Sequence, residues 1–379
     1  MKTLAIVLIA FGASIAASAQ TTSAGHLMYI GTLDKKLLVF DEDREEVVGE
    51  IPLGGIPRST ALSADKKKLY IFTTKMNFEV VDLEARKVTG SFELSDARSR
   101  VRLGGGGGPD RINIGANARY SGIAVDPQGH YLYTTMRVVL KDIDQYRIED
   151  PKFVAIDLQD MKIAKTWSFP KELDQGFGFN ATFKVSPDGK LLYVFQDDIL
   201  IFDLNDFKLV DTIALAKPAS PGATPYRLAE TGDTFDSPDT VTSVFTSVDQ
   251  VVHKGTLGMA SMNLTTRKVE YFPIGPLLPM MGFLLSPDHK YGYSVMPMNS
   301  GANRTTEWWV WDIATHSVIK KKEFESRPTF RFAVGGDGTK LYMYGAGSTL
   351  EIFDAKTLES KKVVYLNKDT TTNLIMASR

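Results

Sequence analysis

Seven times along this chain of 379 residues, a short apolar run ends in an aspartate or asparagine that opens a turn. These residues are Asp41, Asp82, Asp157, Asp203, Asn263, Asp312 and Asp354. They follow Val39-Phe40, Val80-Val81, Ala155-Ile156, Ile201-Phe202, Ser261-Met262, Val310-Trp311 and Ile352-Phe353. Asx side chains cap tight turns by accepting from backbone N–H groups just ahead, so the recurrence marks strand, turn and returning strand rather than a track of metal ligands. The fullest copy is residues 181–214, ATFKVSPDGKLLYVFQDDILIFDLNDFKLVDTIA. It reads as strands over residues 182–186, 191–195, 199–202 and 208–213, with Pro187-Asp188-Gly189 and Asp203-Leu204-Asn205-Asp206 in turns. One such sheet has two apolar faces and cannot bury both alone, so the copies must stack on one another.

A second marker is the turn after each first strand: Ser63-Ala64-Asp65-Lys66, Asp126-Pro127-Gln128-Gly129, Ser186-Pro187-Asp188-Gly189, Ser286-Pro287-Asp288-His289 and Gly335-Gly336-Asp337-Gly338. Unit five is degenerate, with residues 226–230 as its first strand and 240–248 as its second. Unit one lacks a first strand and begins at Leu27-Met28-Tyr29-Ile30. Thr372-Asn373-Leu374-Ile375-Met376, after unit seven, can supply the missing strand, closing a ring with no free edge between units. The expected fold is all-β: a seven-bladed β-propeller of four-stranded blades, in which a C-terminal strand completes the first blade.

Copies such as SPDGKLLYVFQDDILIFDLNDFKLVDTI resemble the YVTN-repeat seven-bladed β-propellers, over about residues 26–378. Their superfamily includes the propeller subunits of quinoprotein amine dehydrogenases. The resemblance implies a fold rather than an activity, because one fold hosts many functions.

Residues 1–19 read as a secretory signal peptide: Lys2 gives the positive start, residues 4–15 the apolar core, and Ala17-Ser18-Ala19 the cleavage site. Residues 20–379 are then the propeller, exported to the periplasm or beyond, and the apolar run is too short for a comfortable membrane span. The chain has no cysteine, which excludes disulfides, thiolate metal sites, thioether-linked haem and a lipoprotein anchor. Its 44 basic and 45 acidic residues give no reason to expect nucleic acid or an anionic membrane. In a eukaryotic host, Asn180, Asn263 and Asn303 would head glycosylation sequons.

Three insertions, residues 96–118, 137–151 and 297–307, fall where a propeller places loops on one face, and loops carry function. Gly104-Gly105-Gly106-Gly107-Gly108 leads into Pro109-Asp110-Arg111 and so is no phosphate-binding P-loop. The five histidines share no metal-ligand spacing, and no Gly-x-Ser-x-Gly elbow or cysteine nucleophile is present. Trp308, Trp309 and Trp311 suit either interblade packing or a grip on a sugar or amine, and Met280-Met281 suit either filler or a channel lining.

The most suggestive pattern is arginine at the entry to the innermost strands: Arg58, Arg119, Arg227, and Arg327 with Arg331. In a ring these would converge on the central channel. Arg58, Arg119, Arg227 and Arg331, with Tyr120 and Asn180, are the candidate ligand-binding residues. The competing role for each guanidinium is to bond the neighbouring blade. No catalytic, cofactor or metal residues stand out. The expected function is a non-catalytic exported binding or scaffold protein, presenting its loop-rich face to a protein partner or a small anionic ligand. The alternative is the propeller subunit of an amine dehydrogenase-like redox complex with the cofactor in another chain. A propeller hydrolase would need a divalent metal at the channel mouth. The leader predicts that intact mass of the exported protein starts at Gln20; a folded species retaining residues 1–19 would contradict it.

Overall fold

The computed structural model describes residues 26–75, 77–93, 113–116, 122–141, 146–173, 176–177, 181–216, 225–228, 235, 237–249, 251–299, 305–325, 330–345, 347–371 and 375–376. They form seven antiparallel sheets in sequence order, a seven-bladed β-propeller. Blade four is the pattern: Thr182–Val185, Leu191–Phe195, Ile199–Asp203 and Leu209–Ile213 lie side by side from axis to rim. The other innermost strands are Pro57–Leu62, Ala124–Val125, Tyr226–Leu228, Met281–Leu285 and Arg331–Val334. Blade one joins Leu27–Gly31, Lys36–Asp41 and Glu46–Pro52 to Ile375–Met376 from the far end of the chain. Met28 pairs with Met376 and Tyr29 with Ile375, and Thr371 N–H donates to Gly31 O at 2.8 Å. The ring is closed as the repeat count requires.

Alternation along each strand feeds two cores, because successive side chains face opposite ways. In blade four, Tyr193, Phe195, Ile199 and Ile201 pack towards blade five, while Leu192, Val194, Leu200 and Phe202 pack towards blade three. All eight are buried. Truncating one such residue, Phe202 for example, to alanine would cost about 3–5 kcal/mol.

All seven Asx residues cap their turns. Asp41 Oδ1 accepts from Asp43 and Arg44 N–H at 2.9 Å each, and Asn263 Oδ1 accepts from Thr265 at 3.0 Å and Thr266 at 2.8 Å. Asp82, Asp157, Asp203, Asp312 and Asp354 do the same. The fourth residue on from each is left-handed: Glu45, Arg86, Met161, Phe207, Arg267, His316 and Leu358, with φ between 51° and 63°. In six blades a bulge falls within the apolar pair before the Asx residue, where extra twist turns the rim strand back; in blade five it falls between Leu257 and Gly258.

The insertions are partly strand rather than loop, which corrects the sequence reading. Residues 137–141 prolong the second strand of blade three, Tyr131–Lys141, where Val139 pairs with both Ile148 and Asn113. In blade six, Pro297 pairs with Thr306 and Met298 with Thr305. Each pairing satisfies backbone groups that a loop would leave to water. The glycine run lies outside the described residues, as do residues 1–25. Among the described residues no helix is long and apolar enough to cross a membrane.

Deleting residues 369–379 is expected to expose the edge of Leu27–Gly31 and open the ring. The expected result is loss of soluble yield or a large fall in Tm; unchanged melting would show that closure adds little.

Candidate functional site

Antiparallel order fixes the faces of the ring. Innermost strands start at the face that also carries the connections between second and third strands, and end at the opposite face. Arg58 and Arg227 are second in their innermost strands and Arg331 is first in its own. All three are exposed, at the same end of blades two, five and seven. Arg227 lies 3.6 Å from Asp197, in the connection between the second and third strands of blade four, and both side chains are exposed. That pair reaches a neighbouring blade, the competing role weighed for these guanidinium groups. Arg119, Tyr120, Asn180 and Arg327 lie outside the described residues.

The approach to Arg58 is fixed by a residue that the sequence reading passed over. Glu79, 2% exposed, accepts from Gly54 N–H at 2.9 and 3.2 Å and from Asn77 Nδ2 at 3.3 Å. A Cβ at position 54 would stand 2.4 Å from Glu79 Oε1 and 2.9 Å from Asn77 Nδ2, so a larger residue there would displace both side chains. Burial pushes the Glu79 carboxyl above its usual range, against the pull of the Gly54 N–H. The signal was present: the residue three before the Asx marker is apolar in five units but Glu79 in unit two and Glu351 in unit seven.

At the opposite mouth, the connector from the first to the second strand of blade five carries Phe235, 9% exposed. Lys66 Nζ of blade two lies 5.4 Å from its ring centre. His289 of blade six bonds Phe235 O and lies 3.5 Å from Ser237 Oγ. Lys184 of blade four donates to Ser237 O at 3.0 Å and Thr240 O at 2.6 Å. Lys66 and His289 stand, at φ 57° and 59°, where other blades have Gly129, Gly189 and Gly338. Two side chains at a glycine position were the legible sign that this mouth differs.

The remaining candidates are packing groups. Trp308 and Trp311 are fully buried and Trp309 is 5% exposed. Trp308 touches Phe324, Phe332 and Phe353, bridging blades six and seven. Trp311 Nε1 donates to Ser294 Oγ at 2.7 Å, and Lys321 caps Trp309 at 3.7 Å. His316 stacks on Phe272 of blade five at 3.5 Å. Met280 and Met281 pack against the largest core cluster. Among the described residues, no three His, Cys, Asp or Glu are grouped to hold a metal ion.

No family model matches this chain, and no curated protein matches it by sequence. Solved structures do share its fold. A functionally unknown protein from Desulfotomaculum acetoxidans DSM 771 superposes with TM-score 0.56 at 12% identity, covering 93% of this chain and 99% of that one. Apo AztD from Citrobacter koseri gives TM-score 0.53 at 12% identity, covering 94% and 99%. The dihydro-heme d1 dehydrogenase NirN, in complex with DHE, gives 0.50 at 14% identity, covering 93% and 75%.

Because the Arg227–Asp197 pair is exposed on both sides, Arg227→Ala should change stability by less than about 1 kcal/mol. Denaturant melts check this; a larger loss would mean that Arg227 holds more than Asp197. The likeness to these three structures is a likeness of fold, and the chain is a seven-bladed β-propeller.

Proposed function

We propose that this chain is an exported, non-catalytic propeller that binds a partner or small anionic ligand on the face carrying Arg58 and Arg331. We read it as a YVTN-repeat relative within the superfamily of quinoprotein amine dehydrogenase propellers, on copies such as SPDGKLLYVFQDDILIFDLNDFKLVDTI in unit four. Export rests on the leader pattern of residues 1–19.

The observation that carries the binding reading is the placement of exposed arginines at one end of separate innermost strands. The tryptophans, Met280, Met281 and His316 are committed to packing, and the Asx residues to turns. Guanidinium forks match carboxylate and phosphate geometry, so an organic acid or a phosphate-bearing group is the natural occupant. Arg119, Tyr120 and Asn180 belong to the same proposal by their position in the sequence. A second reading, a subunit of a redox complex, draws on the shared fold with the dihydro-heme d1 dehydrogenase. In that reading the cofactor sits in another polypeptide, and with no cysteine this chain could not carry a thioether-linked haem.

The test is thermal melting of the mature protein with citrate and with inorganic phosphate. Saturation at a hundred times Kd should add about 2.7 kcal/mol of stability. Arg58→Ala with Arg331→Ala should abolish that gain. If the double variant melts lower while neither anion stabilises the wild type, the arginines are struts between blades. Capture of a redox subunit from the native periplasm would favour the second reading.

A further inference from the structure

The residue after the turn-opening Asx is apolar in six blades: Leu83, Leu158, Leu204, Leu264, Ile313 and Ala355. In blade one it is Glu42. Its backbone plays the common part, since Glu42 N–H donates to His26 O at 2.9 Å just as Ala355 N–H donates to Thr339 O at 2.9 Å. Its side chain does something new. Only 2% exposed, the carboxylate accepts from Gly336 N–H at 3.2 and 3.1 Å and from Tyr342 O–H at 3.1 Å. Both donors belong to blade seven, so the carboxylate spans the seam where the ring closes.

Blade seven is altered to receive it. Units four and six have Ser186-Pro187 and Ser286-Pro287 where unit seven has Gly335-Gly336. A Cβ on Gly335 would stand 2.7 Å from Glu42 Oε2, and proline at 336 would remove the N–H donor. The tyrosine is redirected as well. Tyr29 O–H reaches Leu83 O across the seam between blades one and two at 3.0 Å, and Tyr193 O–H reaches Leu264 O between blades four and five. Tyr342 takes the Glu42 carboxylate instead.

The charges around Glu42 come from both blades. Blade one supplies His26, Asp41, Asp43 and Glu45; blade seven supplies Asp337, Lys340, Tyr342 and Lys362. Lys340 and Lys362 each pair with Glu45 at 3.2 Å, Lys340 also bonds Glu42 O, and His26 Nδ1 lies 3.8 Å from Asp43. Among the described residues no cation forms an ion pair with the Glu42 carboxylate. We propose that Glu42 is a proton-sensitive latch, holding blade one to blade seven more firmly when its carboxyl is neutral than when it is ionised.

A carboxylate taken from water without a cation is disfavoured, and burial indeed raises the Glu42 pKa, against the Gly336 N–H and Tyr342 O–H that favour the ion. Between the unfolded pKa and the raised folded one, the native state holds more protons than the unfolded chain. The latch therefore contributes most at the acid end of that window and weakens as pH rises through the folded pKa. Glu45 acts in the opposite sense, because Lys340 and Lys362 hold its carboxyl below the ordinary range. Wild type must accordingly be read against a variant altered at Glu42 alone.

The experiment melts the mature wild type and Glu42→Gln from pH 8 to pH 5, with hydrogen-exchange protection factors read at Met28 and Tyr29. The amide keeps an acceptor for Gly336 and carries no charge, so the variant should melt about 2 °C above wild type at pH 8. That gap should close as pH falls. Seam protection should rise on acidification in wild type only, with Leu191–Phe195 of blade four unchanged as the internal control. Parallel pH profiles, or a variant that melts lower by the same amount at every pH, would overturn the proposal. If Glu42→Gln does not fold, Glu42→Leu, the residue most common at this position in the repeat, enters the same comparison with the same two outcomes.

Discussion

A sheet that is apolar on both faces is stable only between two others, and every blade here is such a sheet. Tyr193 and Leu192 are neighbours in sequence yet belong to different cores, one shared with blade five and one with blade three. A linear stack would leave two blades each with one bare face, and bare apolar area is unfavourable at about 25 cal/mol per Å². Bending the stack into a ring removes both ends at once. The requirement then falls on one place, blade one, which must be built from both ends of the chain. Pairing of Met28 with Met376 is the local form of that demand.

The fold was legible because its rules are local. Asx turns, a left-handed residue four places on and a two-residue strand period are all properties of a few consecutive residues. They repeat often enough for one weak copy to be corrected by the other six. The strand Leu191–Phe195 and the long strand Thr240–Val248 were readable to the residue. The insertions were less so. Whether residues 137–141 form loop or strand depends on Asn113–Ala116 lying alongside, which no local pattern states.

The candidate site was legible only in part, for the same reason. A repeat shows where an arginine sits along its strand, and so placed Arg58, Arg227 and Arg331 at one face. It does not show what each guanidinium meets, and Asp197 comes from a different unit. Glu42 and Glu79 are the reverse case. Each departs from an apolar position in the repeat, which is visible in the sequence, but the partners that make sense of them, Gly336 and Gly54, lie on neighbouring blades or connectors. Departures from the repeat are thus where its polar work is done.

The contact of Lys66 with Phe235 joins blades that share no core. Around the ring, blades three and four separate them on one side, and six, seven and one on the other. The other ties between blades described above join neighbours around the circumference, like the staves of a cask. This one is a chord. A hoop held only at its rim can flatten into an oval with little change at any single joint, whereas a hoop braced across a diameter resists that distortion. The chord falls at the mouth opposite the arginines, so it ties the floor of the ring rather than its loop-bearing face.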